Sequence, residues 1–178
     1  MMKHEVVPSY MRESCALEAM GLSILKAHPA VKRSERLLLG SERGGDYYIV
    51  SEAGTSYYLP ADIQPTPITG LMEAFEPIME PAPYVTILQW IEMTMAVVEV
   101  DTRITRDERA RKAAGMADAL TDWPGDAVRE AFEQVQITKR FFPPLADVIP
   151  LINPRCLIRK RAYSALRAAH CALKKEVP

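Results

Sequence analysis

Residues Met116–Ile152 read MADALTDWPGDAVREAFEQVQITKRFFPPLADVIPLI, and the parsing of this stretch decides the fold. Asp118-Ala119-Leu120 closes an amphipathic helix. Thr121 and Asp122 each offer a side-chain oxygen to the unbonded N–H groups of a following helix, and Pro124 stands in its first turn, where no N–H is needed. Asp126 adds negative charge near the positive helix start. Ala127, Val128, Ala131, Phe132 and Val135 then recur at helical spacing, with Arg129, Glu130, Glu133 and Gln136 filling the other face, so one side is expected to be buried.

The corner Phe141-Phe142-Pro143-Pro144 follows. A residue before proline is pushed out of the helical region, so Phe142 is expected to be extended. Two phenylalanines at such a corner are most simply core plugs. Pro144 opens a short helix with Leu145, Val148, Ile149 and Ile152 apolar, and Pro150 is expected to end or kink it. Nothing here carries catalytic chemistry. The stretch reads as a packing device built on Trp123, Pro124, Phe141, Phe142 and Pro143.

These residues also carry a resemblance. Leu120, Asp122, Trp123, Pro124, Asp126, Val128, Ala131, Lys139, Phe141, Phe142, Pro143, Ala146 and Asp147 fall in an order that resembles phage and prophage replication accessory proteins related to helicase loaders and replicative-helicase inhibitors. In that pattern a helix ends in leucine, an acidic-aromatic-proline turn follows, and an amphipathic helix leads to a Phe-Phe-Pro-Thr corner. The sequence departs from it at Pro144, where threonine is usual, and at Asp147-Val148, where Glu-Leu is usual. The likeness covers roughly residues 105–152. It implies a small helical protein that works by contact with a hexameric replicative helicase, without a cofactor or a metal.

Composition sets the outer bounds. With 178 residues, 48% hydrophobic and 25% charged, the chain has the make-up of a packed soluble domain. A net charge of −1 predicts no strong pull on nucleic acid by the whole chain. The charge is uneven, however: Met72 to Glu108 holds eight acids and two bases, whereas Arg155 to the end holds seven bases and one acid. Arg155, Arg159, Lys160, Arg167 and Lys174 are therefore candidate partner-binding residues on a basic C-terminal helix. Ile158, Ala162, Leu166, Ala169 and Leu173 form the apolar stripe of that helix, and Arg159, Lys160, Arg167 and Lys174 are placed away from it.

Cys15, Cys156 and Cys171 are few and odd in number, which argues for a reducing compartment, hence a cytoplasmic protein, and against a disulfide framework. No cysteine lies two to four residues from another cysteine or histidine as a zinc site needs. The longest apolar run, Tyr84 to Val100, is interrupted by Gln89, Glu92 and Glu99, too short and too charged to span a bilayer. No nucleophile elbow, HExxH, P-loop or GxGxxG occurs, so no enzyme activity is expected.

Along the rest of the chain, Ser9–Ala27 reads as a helix, and Val31–Gly40 stays open between helix and strand. Asp46–Ser51 and Ser56–Leu59 are β-prone runs around a glycine-containing turn, which predicts a hairpin. Its tyrosines, Tyr47 and Tyr57 among them, are either cross-strand packing or a contact surface. Prolines 77, 81 and 83 mark the expected boundary between residues 1–83 and 84–178. Beyond it the helices expected are Tyr84–Val100, Thr105–Leu120 opened by a Thr105/Glu108 capping box, Gly125–Thr138, Pro144–Ile149 and Arg155–Lys175.

The expectation is thus a mainly α fold, a small helical bundle with one short β-hairpin in the N-terminal third. The expected function is a non-enzymatic replication accessory that binds the host's replicative helicase. The alternatives are a nucleic-acid-binding regulator using the basic C-terminal helix, with weak DNA binding at most, and a structural or assembly protein.

Overall fold

A computed structural model describes residues 7–34, 47–52, 55–60 and 65–175. The fold is mainly helical, with a small antiparallel sheet in the N-terminal third. The chain divides into two compact units, Met1–Leu17 with Met79–Cys156, and Glu18–Ile78 with Leu157–Pro178. One seam falls beside the proline tract, between Ile78 and Met79. The other two cut through the first and last helices, so a single break between residues 83 and 84 is not what the contacts give. The reason lies in hydrogen bonds far apart in sequence. Ser9 and Ser14 bond to Glu80 and Glu130, which holds the N-terminal arm in the first unit. Ile158 and Arg159 bond to Glu18, which holds the end of the chain in the second.

In the first unit, α3 (Tyr84–Val97) packs against both α4 (Arg106–Leu120) and α5 (Gly125–Thr138). Ile87 and Ile91, then Ala113, Ala117 and Leu120, then Ala127, Val128, Ala131 and Phe132, then Val148, Ile152 and Cys156 make one buried cluster. Each set repeats at three or four residues, so each helix turns a single stripe inward. Full burial of one such aliphatic or aromatic side chain stabilises by roughly 1.5–3 kcal/mol. Tyr10, Trp90, Trp123 and Phe142 pack around the cluster, Tyr10 edge-on to Trp90 at 6.4 Å.

The capping box forms as the sequence predicts: the Glu108 N–H donates to Thr105 Oγ1 at 3.2 Å and the Thr105 N–H to Glu108 Oε2 at 2.9 Å. The start of α5 differs. Thr121 Oγ1 donates back to the Asp118 carbonyl and so finishes α4. Pro124 itself is the cap residue, with no side-chain cap bond. It pairs with Pro81 in an isolated antiparallel bridge, and the Gly125 N–H donates to the Glu80 carbonyl at 3.0 Å. A backbone partner from the proline tract thus replaces the expected Thr or Asp cap.

The last helix, α6 (Leu145–Lys175), also differs from expectation. Pro150 does not end it. Pro150 and Pro154 lie inside it and face solvent, as does Ala146, whose carbonyl loses the bond a proline cannot donate; water can take its place. The break comes later, at Cys156, whose φ of −134° and ψ of 15° leave the helical region. At the other end of the chain, the expected Ser9–Ala27 helix is two pieces, a 3-10 turn Ser9–Met11 and α1 (Ser14–Ala27). The Glu130 carboxylate accepts the Ser14 N–H at 2.6 Å and fixes the restart.

In the second unit the hairpin is present as β2 (Tyr47–Glu52) and β3 (Thr55–Leu59), with a bulge that skips Ile49. The open tract before it supplies a third strand, β1 (Lys32–Ser34), on the far side of β3. β3 is therefore central, and burial of Ser56, Tyr57 and Leu59 follows. Helix α2 (Pro65–Phe75) begins with proline at its first position and buries Ile68, Leu71 and Phe75. Ala162, Leu166 and Ala169 are buried as the expected stripe of the last helix.

Candidate functional site

Two of the bases expected on the outer side of the C-terminal helix, Arg155 and Arg159, are held by carboxylates inside the fold. Arg159 was expected on the solvent side, yet it is 0% exposed. Its Nε lies 3.0 Å from Glu18 Oε2, and its Nη1 donates to the Ile78 carbonyl. Arg155 is half-buried, with Nη2 on Gln134 Oε1 at 2.6 Å, Nε 3.3 Å from Glu130 Oε2, and Nη1 on the Leu151 carbonyl. Lys160 is half-buried and Arg167 is exposed. Neither acid that pairs with Arg155 and Arg159 belongs to the acidic Met72–Glu108 stretch; both come from α1 and α5. Tyr57 is buried in β3 rather than offered to a partner, and the side chains of Tyr47 and Lys174 lie outside the described residues.

The aromatic corner is the surface that does assemble. Phe142, one of the two phenylalanines expected as core plugs, packs against the buried cluster, and Pro143 beside it is buried. Trp123 also packs there and Pro124 is buried. Phe141 is not a plug: it is 58% exposed, with the Arg140 guanidinium 5.2 Å from its ring centre. Backbone bonds hold it there. The Glu99 N–H donates to the Arg140 carbonyl at 2.9 Å and the Phe142 N–H to the Glu99 carbonyl at 3.0 Å, a parallel bridge between Glu99 and Phe141. Arg140 Nε reaches Glu99 Oε1 at 3.1 Å across the same junction.

Beside this bridge stand three more exposed apolar side chains, Met93 (61%), Val97 (65%) and Ile137 (84%). Met93 and Val97 lie one turn apart on the outer face of α3. Ile137 follows Gln136, whose Nε2 donates to Thr94 Oγ1 at 3.0 Å, while that hydroxyl donates to the Trp90 carbonyl at 2.8 Å. The C-terminal ends of α3 and α5 are thus pinned together, and their outward positions mix the apolar Met93, Val97 and Ile137 with the charged Glu92, Glu133 and Lys139. A methionine at this place reads from sequence as a gap filler in the core, yet Met93 faces outward. Val85, nearer the start of α3, is also exposed.

The reverse face of the same corner borders a cavity of about 480 Å³, lined by Met95, Ile104, Met116, Phe142 and Leu145 among others. Among the described residues no group of three or more histidine, cysteine, aspartate or glutamate side chains could hold a metal ion. No described helix is long and apolar enough to cross a membrane. Cys15 and Cys171 are exposed and Cys156 is buried, all three as free thiols. No family model, curated protein or solved structure matches this chain.

Proposed function

We propose that this protein is a non-enzymatic replication accessory of phage or prophage type, working in the cytoplasm by binding a protein partner, the hexameric replicative helicase of its host. The observation that carries the protein-binding part is the exposed group Met93, Val97, Ile137 and Phe141 on a hydrogen-bonded frame. Large apolar side chains exposed on neighbouring helix ends favour an interaction site, because water contact disfavours them in the free protein. The rigid frame lowers the entropy lost when a partner covers it. The helicase as partner rests on the resemblance carried by residues 105–152, within which both Ile137 and Phe141 fall.

The nucleic-acid reading is the weaker one. Two of its five bases, Arg155 and Arg159, already hold carboxylates inside the fold. Size-exclusion chromatography with the host helicase tests the proposal. The chain should co-elute with the hexamer at moderate salt, and Val97→Asp combined with Ile137→Asp should abolish co-elution while the far-UV circular dichroism stays unchanged. Binding to naked DNA with no helicase shift would sink it.

A further inference from the structure

The cavity of about 480 Å³ in the first unit lies within the size range of small-molecule sites, about 300–1,000 Å³. Its walls are apolar: Met95, Val100, Ile104, Met116, Phe142 and Leu145. Its polar members are Asp101, Arg109 and Lys112. Asp101 is already engaged, because Arg103 donates Nε and Nη2 to its two oxygens at 3.0 and 2.9 Å. The Arg103 guanidinium holds the Asp101 carboxyl down at about 2. Arg109 is braced with Nε and Nη2 on the Ile104 carbonyl, and Lys112 is exposed. Lys112 lies within electrostatic reach of both Asp101 and Glu108, and with Arg103 also on Asp101 the cations Arg103, Arg109 and Lys112 outnumber these two acids by one.

Gly115 adds an independent observation. It sits in the interior of α4 and lines the cavity, and a Cβ built on it meets nothing within 4 Å. Glycine is among the poorest helix formers, and no close approach of another chain segment requires it here. Gly115 is itself exposed, so it marks the open mouth of the cavity along α4.

We propose that this cavity binds a free alkyl monocarboxylate of fatty-acid type, its tail between Met95, Met116 and Phe142 and its head at Arg109 and Lys112. The apolar walls take the chain and exclude water from it. The two cations select a carboxylate over a neutral or cationic head. The proposal is independent of the helicase reading, since the exposed residues that carry that reading lie outside the cavity lining.

Isothermal titration of the full chain with decanoate, and with decanol as its uncharged counterpart, tests this. Decanoate should bind in a single stoichiometric step, and decanol about fivefold more weakly, the scale of one partly exposed ion pair. Lys112→Gln should lower decanoate affinity about fivefold and leave decanol unchanged. Gly115→Leu should place its side chain in the cavity and abolish binding of both. Should that variant fail to fold, the methyl spectrum of methionine-labelled wild type keeps the test open: decanoate should shift the Met95 and Met116 signals and leave Met20 and Met93 in place. No heat from decanoate up to millimolar concentration, equal affinity for decanol, undiminished binding by folded Gly115→Leu, or shifts confined to Met20 and Met93 would each overturn the proposal.

Discussion

Glu18 and Arg159 form an ion pair at 3.0 Å in which the arginine has no solvent exposure at all. The same carboxylate accepts the Ile158 N–H through its other oxygen. That N–H lies two residues past the break at Cys156, where the helix restarts with backbone donors that lack an intrahelical partner. Glu18 therefore neutralises a buried guanidinium and caps a restarted helix at once. Removing one partner of a buried pair leaves an uncompensated charge, so Glu18→Ala should cost roughly 3–5 kcal/mol in urea unfolding. Glu18→Met with Arg159→Met removes both charges and should be more stable than Glu18→Ala alone. A double variant as unstable as the single would show that the charge was not the problem.

Two glycines should respond in opposite ways to the same substitution. A Cβ on Gly125 would stand 2.5 Å from the Ala82 nitrogen and 2.5 Å from Tyr10 Cβ, both anchored to backbone. Gly125→Ala should therefore destabilise by about 2–3 kcal/mol through overpacking, despite alanine's better helix propensity. Gly115→Ala meets open space and should stabilise by up to about 1 kcal/mol. The comparison of their denaturation midpoints checks both, and equal shifts would contradict the packing at Pro124–Gly125.

What the sequence made legible is what one element decides alone. The buried face of α5, Ala127, Val128, Ala131, Phe132 and Val135, follows from spacing, and the Thr105/Glu108 box follows from two residue types three apart. The hairpin follows from two β-prone runs and a turn. Arg159 was not legible. Its burial depends on Glu18, 141 residues earlier, and on the absence of a side chain at Gly21, where a Cβ would come 2.9 Å from Arg159 Cγ. No periodicity within the last helix contains that information. The same holds for the start of α5, where the Gly125 N–H donates to the Glu80 carbonyl, and for the end of α3, where Gln136 donates to Thr94. The cavity was hidden for the same reason: its walls come from α3, from the turn before α4, from α4 itself and from the corner after α5.

The two corner phenylalanines should separate stability from binding. Phe142 packs on the cluster, so Phe142→Ala should cost about 2–3 kcal/mol, less than a fully buried ring would. Phe141 is exposed, and Phe141→Ala should change stability by less than about 0.5 kcal/mol. Phe141→Ala should nevertheless weaken helicase co-elution. Chemical denaturation of both variants, with chromatography beside it, checks the pair. A large stability loss in Phe141→Ala would mean that its ring is part of the core.

The acid limb of the stability curve should carry two marks near the start of α4. The Arg103 guanidinium holds the Asp101 carboxyl at about 2, against an ordinary 3.8. The Thr105 N–H and hydroxyl hold the Glu108 carboxyl below its ordinary 4.5. Both groups bind a proton more readily in the unfolded chain than in the folded one. Their contributions are therefore complete above the ordinary values and are lost as pH falls toward the folded ones. Glu108→Gln should thus lower the melting temperature at neutral pH, with the difference from wild type closing as pH drops below 4.5. For Asp101→Asn the difference should begin to close only below 3.8 and persist to about pH 2. Burial pushes His28 the other way in charge but the same way in pH: its value lies below 6.5, so its neutral form is favoured in the fold and stability falls slightly as pH drops through that value. Melting curves of wild type, Glu108→Gln and Asp101→Asn across that range decide it. A Glu108→Gln difference that stays constant down to low pH would show that the capping box does not depend on the charge of its carboxylate.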